Sequence, residues 1–79
     1  MNEDKKNAIH NFIATRLEIE TIPAQGLLVA FGFSSLMLVA LIGYMEDNLG
    51  ISLGLEDFNP ENFASLESIY DAFGESGHA

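Results

Sequence analysis

The sequence predicts an all-α protein, a bundle of four helices with a short third helix and a long loop between helices 1 and 2. Apolar residues recur at helical spacing in three segments, near residues 9–17, 36–49 and 66–73. Serine, asparagine and glycine stand at the borders of these segments, where helix caps are found. A short apolar run at residues 51–53 has no second strand to pair with, so we expect a loop there.

The first helix and the loop after it differ in their periodicity. Asn2 is placed to cap the helix, and the run from Thr21 to Pro23 is predicted to end it. The stretch 23–33 contains Gly26 and Gly32 without regular spacing, which indicates a long loop packed on the core by its apolar side chains. The helix itself has an apolar stripe at positions i, i+3, i+4 and i+8, formed by Ile9, Phe12, Ile13 and Leu17.

A second helix is predicted to begin at Ser34 or Ser35, because serine is a common N-cap residue. Gly50 is placed to end it, since glycine adopts a left-handed backbone without steric cost. Apolar residues cover more than one side of this helix, so we expect it to be the most buried of the bundle. Its core-facing side is predicted to comprise Leu36, Val39, Ile42 and Leu49, widened by Leu38, Leu41 and Met45.

The third helix is predicted to be very short, with Asn59 as its cap and Pro60 as its first residue, and to reach Phe63. Ser65 would cap the fourth helix, and Gly74 would close it. One face of that helix carries the apolar residues Leu66, Ile69, Tyr70 and Phe73.

Length and charge limit the functions open to the chain. Its 79 residues make one domain, predicted to span residues 1–75 with a disordered tail at 76–79, and so small a domain has little room for a deep catalytic cleft. Residues 17–79 carry ten acidic side chains and no Lys or Arg. Such a surface repels phosphate backbones, so we exclude nucleic acid as a partner. Without cysteine there is no disulfide, and because no signal peptide is visible we expect a cytoplasmic protein.

Residues 21–45 contain no charged side chain, and their length matches the roughly 20 apolar residues that cross a bilayer. A single membrane span is therefore an alternative for this segment. Pro23, Gln25 and two serines interrupt it, and acidic residues resume at Glu46. These interruptions favour a helical bundle without a membrane span.

Residues suited to hydrolysis or metal binding are sparse. We interpret His10 as a partly exposed surface residue, and His78 lies in the tail, so a Ser-His-Asp site is not supported. The adjacent acids 46–47 and 56–57 point in different directions, and the spacing of a calcium loop is absent. We therefore predict neither catalytic residues nor a metal site.

Ser35 has two interpretations. It could be a helix cap only, or it could be the attachment point of a group linked through a phosphodiester. A hydroxyl at a helix start after a glycine-containing loop is accessible, and a phosphodiester there would face unpaired backbone N–H groups. Both interpretations hold together if Ser34 is the cap and Ser35 is modified.

The runs GFSSLMLVALIGYMEDNLGI and EDFNPENFASLESI resemble the acyl and peptidyl carrier protein family. In that family Gly, a variable residue and Asp-Ser-Leu open the second helix, and a later acidic stretch leads to a Gly-Ile pair. The resemblance covers nearly the whole chain and implies the same four-helix fold in a carrier that is not an enzyme. The matching residues here are Gly32, Ser34, Ser35, Leu36, Glu46, Asp47, Gly50 and Ile51.

The resemblance implies that Ser35 receives 4′-phosphopantetheine from a phosphopantetheinyl transferase and that the thiol of this arm holds a cargo as a thioester. It also implies a ligase or acyltransferase that loads the cargo and a downstream synthase that uses it; a monomer is expected. The cargo would lie in a pocket lined by Leu38, Val39, Ile42 and Ile69. Partners would dock at the start of helix 2, on Phe33, Ser34, Leu36, Met37, Ala40 and Tyr44.

Three features depart from the family pattern. Ser34 replaces the acidic residue before the modified serine, which bears on recognition by the transferase. Met37, Ala40 and Tyr44 stand where fatty-acid carriers have acids, so we expect partners to bind by apolar contact. Gly43 would either leave room for cargo or permit close helix packing.

We therefore predict a stand-alone carrier of an acyl or aminoacyl group in a polyketide, non-ribosomal peptide or aminoacyl-transfer pathway. The alternative is a non-catalytic interaction module with the same fold, in which Ser35 is only a cap. The substitution Ser35→Ala separates the two, because only a carrier would lose its function.

Overall fold

The computed structural model of the chain describes residues 1–74, apart from the side chain of Glu56. The predicted domain boundary at residue 75 and the predicted tail lie outside the described residues. Residues 1–74 contain no strand and three α-helices: α1 (Glu3–Leu17), α2 (Ser35–Asn48) and α3 (Leu66–Gly74). The connections contain three 3₁₀ turns: Leu28–Phe31, Leu55–Phe58 and Pro60–Phe63. The all-α class is confirmed, and the predicted third helix is present as a single 3₁₀ turn.

Capping interactions set both ends of α1. Asn2 Oδ1 accepts the backbone N–H of Lys5 at 2.8 Å, as predicted. At the other end Glu18 has a left-handed backbone, with φ of 59°, and its N–H donates back to the last turn. The helix therefore ends at Leu17, a few residues before the stop predicted at residues 21–23.

The predicted caps of the C-terminal part are confirmed. Asn59 Oδ1 accepts the N–H of Glu61 at 2.9 Å at the start of the last 3₁₀ turn. Ser65 Oγ accepts the N–H of Ser68 at 3.1 Å at the start of α3. Each cap satisfies a backbone donor that has no partner within its own helix.

The prediction that α2 is the most buried helix is wrong. Only Leu41 and Met45 of its fourteen residues are buried, whereas α3 buries three of nine. Leu36 and Val39, predicted to face the core, are exposed. Because α2 is apolar on most of its circumference, residue spacing does not identify its buried side. The buried apolar side chains of the core are Ile9, Ile13, Ala14, Ile22, Leu28, Leu41, Met45, Ile51, Phe63, Leu66, Ile69 and Phe73.

Hydrogen bonds hold the long loop between α1 and α2 against the helices at three points. His10 Nε2 accepts the N–H of Ile22 at 3.0 Å, so His10 fixes the loop to α1 and is more than a surface residue. The N–H of Glu67 donates to the carbonyl of Ala24 at 2.9 Å. Leu28 is fully buried, and its N–H donates to the carbonyl of Ala64, just before α3, at 2.9 Å. The loop therefore reaches α2 along a defined path.

Membrane-spanning helices and metal sites are not found among residues 1–74. None of the helices in this part of the chain has the length and apolarity needed to cross a bilayer. The uncharged segment 21–45 is divided among the loop, its 3₁₀ turn and α2. No group of three or more His, Asp or Glu side chains among the described residues is arranged to hold a metal ion.

Candidate functional site

The glycine before α2 sets the direction in which the helix leaves the loop. Gly32 has φ of 99°, in the left-handed region that disfavours a Cβ. Its N–H donates to the carbonyl of Val29 at 3.1 Å and closes the 3₁₀ turn. The backbone then extends through Ser34 and enters α2 at Ser35. The two serines are thereby placed at the exposed end of the helix.

The two serines have different roles. Ser34 is the N-cap, because its backbone is extended and its Oγ accepts the N–H of Met37 at 3.3 Å. Ser35 is the first residue of α2 and is exposed. The capping role therefore falls to Ser34, and the Ser35 hydroxyl is available for attachment.

A cavity of about 220 Å³ opens to solvent beside Ser35. Its walls come from the loop, the first turns of α2 and the last 3₁₀ turn, and they carry no charged side chain. Phe63 connects this wall to the core, since it is buried and packs on Phe73 with 5.3 Å between ring centroids. Besides Ser34 and Ser35, the lining residues are Val29, Phe33, Leu38, Pro60 and Phe63.

Of the four predicted cargo residues, Leu38 lines the cavity beside Ser35. Ile42 is half-buried against the core, and Ile69 is fully buried within it. Val39 lies on the solvent side of α2 with 68% of its surface exposed. The cavity beside Ser35 lies at the N-terminal end of α2.

Of the predicted docking residues, Leu36 and Ser34 are exposed. Leu36 is 83% exposed, and together with Val39 it forms an apolar face one helical turn long. Phe33, Met37 and Ala40 are half-buried. The exposed apolar face at the start of α2 is therefore centred on Leu36 and Val39.

Tyr44 lies between helices instead of in solvent. Its ring stacks on that of Phe12, with 4.5 Å between ring centroids, and the Arg16 guanidinium lies 3.8 Å from the Phe12 centroid. Aromatic and cation–π contacts of this kind stabilise packing beyond the area they bury. The expectation that Tyr44 is an exposed docking residue needs correction, because it joins α1 to α2.

Gly43 does not permit close helix packing. A Cβ at this position would have no heavy atom within 4 Å. Gly43 is also absent from the lining of the cavity beside Ser35. Neither role expected for this glycine is visible in the structure.

Three cavity residues were not predicted as site residues. Val29 belongs to a loop with no regular spacing, and Pro60 and Phe63 were interpreted only as helix-forming residues. Their proximity to Ser35 depends on contacts between segments far apart in the chain. The sequence indicated only that the apolar loop 23–33 packs on the core, and it did not indicate which residues the loop contacts.

The surroundings of Ser35 fit a group attached through a phosphate. The first turn of a helix presents unpaired N–H groups and the positive end of its dipole. The first turn of α2 has no acidic side chain to repel such a group, and the nearest acids in the sequence are Glu20 and Glu46. Ser35 would hold 4′-phosphopantetheine through a phosphodiester, with the apolar cavity beside it. When bound, this group supplies a thiol that holds a cargo as a thioester.

Comparisons with known proteins agree with this fit. The family model described as a phosphopantetheine attachment site matches residues 7–73. A chain of similar fold occurs in the crystal structure of Bradyrhizobium japonicum glycine:[carrier protein] ligase complexed with glycylated carrier protein. The matching chain is 26% identical with a TM-score of 0.71, and the alignment covers 87% of this chain and 99% of that chain. No curated protein sequence matches the chain.

The family match includes nearly all of the three helices and contains Ser35. Domains of this family carry a cargo on covalent 4′-phosphopantetheine and do not themselves catalyse a reaction. The suspected resemblance to carrier proteins is thereby confirmed. The chain belongs to the phosphopantetheine-attachment family, and it is a carrier domain and not an enzyme.

Proposed function

We propose that the protein is a stand-alone carrier of an aminoacyl or other small acyl group in a biosynthetic pathway, with Ser35 as its attachment residue. The observation that carries this proposal is the division between the serines: Ser34 caps α2, and Ser35 is exposed beside an uncharged cavity. The likeness to a glycylated carrier protein favours an aminoacyl cargo.

The proposed partners are a phosphopantetheinyl transferase, a cargo-loading ligase or acyltransferase, and a downstream synthase of polyketide, non-ribosomal peptide or aminoacyl-transfer chemistry. Leu36 and Val39 supply the exposed apolar face beside Ser35. Since residues 21–45 carry no charge, these partners are expected to dock by apolar contact, with little dependence on salt.

Intact mass spectrometry tests the attachment residue. The protein is incubated with coenzyme A, magnesium and a broad-specificity phosphopantetheinyl transferase. We expect the unmodified chain to gain one phosphopantetheinyl group and Ser35→Ala to gain none. Ser34→Ala is the matched control: it removes the neighbouring hydroxyl and the cap, and it should still be modified.

A folded protein that gains no mass would support the alternative, an interaction module with the same fold. In that case Ser34→Asp, which supplies an acidic residue before Ser35, separates poor recognition by the transferase from a lost carrier function. If Ser34→Asp is modified and the parent protein is not, the transferase recognises the parent poorly. If neither the parent protein nor Ser34→Asp is modified, the carrier proposal is contradicted.

The cargo is tested with the modified protein, glycine, ATP and the Bradyrhizobium japonicum glycine:[carrier protein] ligase. A gain of one glycyl group that hydroxylamine removes would indicate a thioester of the expected class. Loading by an acyltransferase with a short acyl group, and none by the ligase, would point to acyl cargo.

A further inference from the structure

The cavity beside Ser35 has one feature that the carrier role leaves unexplained: its walls are apolar although the rest of the protein is strongly acidic. Five of its seven lining residues have apolar side chains, and the other two are the serines at the start of α2. Val29 forms part of this wall while leaving 73% of its own surface in water. Water gains few hydrogen bonds from such a wall, so an apolar group would replace it favourably.

The position of Ser35 limits what can occupy the cavity. Because Ser35 is itself a lining residue, a group attached to this residue begins beside the cavity. In 4′-phosphopantetheine the first carbon beyond the phosphate ester methylene is quaternary and bears two methyl groups. The amides and the thiol follow further along. The first apolar part of the arm that passes the wall is therefore this dimethyl segment.

The dimensions agree with this occupant. The cavity is open to solvent and measures about 220 Å³, so it has room for two methyl groups on one carbon. Phe33 and Phe63 place aromatic rings in its wall, and Leu38 and Pro60 complete the apolar lining.

We propose that this cavity is a binding site for the dimethyl segment of the arm attached to Ser35; the inference rests on the proposed attachment residue. Val29 and Leu38 contact this segment from the loop and from α2. The site holds the beginning of the arm on the side of the last 3₁₀ turn and leaves the thiol end, with its cargo, in solvent. Leu36 and Val39 stay uncovered for a partner.

Nuclear magnetic resonance of the modified protein tests the site. The protein is loaded by the transferase with coenzyme A that carries ¹³C in its two methyl groups, and complete loading is verified by mass. We expect both methyl resonances to move upfield from their positions in free coenzyme A, because aromatic rings line the cavity. We also expect cross-relaxation between these methyl groups and the side chains of Val29 and Leu38.

Two residues of the loop provide a pair of variants. Val29 and Leu27 are 73% and 59% exposed, so either can be changed to serine with little risk to the fold, but only Val29 lines the cavity. Val29→Ser should lose most of the upfield shift and the cross-relaxation, and Leu27→Ser should retain both. Equal behaviour of the two variants would overturn the proposal.

A loaded protein whose methyl resonances coincide with those of free coenzyme A would also overturn it. That result leaves the carrier role intact, because the mass already shows the attached group. Failure to gain mass would instead contradict the proposed attachment residue, so the two outcomes are distinguishable.

Discussion

Helices α2 and α3 use apolar residues in opposite ways. In α3 the apolar residues Leu66, Ile69 and Phe73 are buried, and the charged residues Glu67 and Asp71 are exposed. In α2 only two residues are buried, and other apolar side chains of the helix, such as Leu36 and Val39, are exposed to solvent. α3 is thus an ordinary amphipathic core helix, and α2 carries more apolar surface than its packing requires.

The excess apolar surface of α2 lies at its N-terminal end, next to Ser35. Leu36 and Val39 are exposed there, whereas Leu41 and Met45 in the second half are fully buried. The first half of α2 therefore carries the exposed apolar side chains, and the second half carries the buried ones.

The largest expected effect is the difference in stability between two leucine-to-alanine variants, one in each half of α2. Leu41→Ala removes a fully buried side chain, and we expect it to lower the free energy of unfolding by about 2–5 kcal/mol. Leu36→Ala removes an exposed one and should change it by less than about 0.5 kcal/mol. Urea unfolding followed by circular dichroism measures both. Similar losses in the two variants would contradict the division of α2 into two halves.

The caps of the two helices give the next largest effect. Ser65→Ala removes the cap of α3, a buried hydroxyl that also contacts Ser68 Oγ at 3.1 Å, and should cost about 1–2 kcal/mol. Ser34→Ala removes an exposed cap with a longer hydrogen bond, and we expect about 0.5 kcal/mol. Ser35→Ala is the control, with no cap to lose. A larger loss for Ser35→Ala than for Ser34→Ala would show that the cap is misassigned.

Gly43 allows α2 to be stabilised without changing the exposed apolar residues of its first half. Since a Cβ there meets open space, Gly43→Ala should raise the free energy of unfolding by about 0.5–1 kcal/mol through helix propensity. Gly32→Ala, at φ of 99°, should instead destabilise the protein. Thermal unfolding compares them, and a destabilised Gly43→Ala would mean that the glycine has a packing role.

The smallest effect is expected from the one tyrosine of α3. The Tyr70 hydroxyl donates to the Lys6 carbonyl at 3.1 Å, and burial raises the pKa of Tyr70, with a further contribution from Glu3. The unfolded chain therefore loses this proton at lower pH than the folded one. Its contribution to stability is complete below about pH 10 and is lost as pH rises through the folded pKa.

Tyr70→Phe tests this dependence. The variant should lose less unfolding free energy than the parent protein between about pH 9 and about pH 11, where tyrosine titrates. Urea unfolding at several pH values provides the measurement. Parallel pH profiles for the two proteins would assign the alkaline loss to other groups.

Predictions from the sequence succeeded where the signal is local. The caps Asn2, Asn59 and Ser65 each bind a backbone N–H within three residues, and Gly50 has the left-handed backbone expected of it, with φ of 67°. Such interactions need only the residue and its immediate neighbours. The amphipathic α3 was also predicted correctly, since its polar residues identify the exposed side.

Predictions of the site were less complete, because its walls come from separate segments. Ser35 and its helix start are visible in a short motif. Val29 and Pro60 lie far from each other in the chain, and only folding places both beside that serine. The roles of His10 and Tyr44 depend in the same way on partners more than ten residues away.

The sequence by itself determined the all-α class, the order of the helices and the family, and it predicted the serine suited to attachment, because caps and motifs are read from neighbouring residues. Only the tertiary structure decided which side of α2 is buried and where the cavity lies. The physical reason is that α2 has no charged residue before Glu46, so its faces are nearly equal in hydrophobicity. Packing against α1, the loop and the last 3₁₀ turn selects among them.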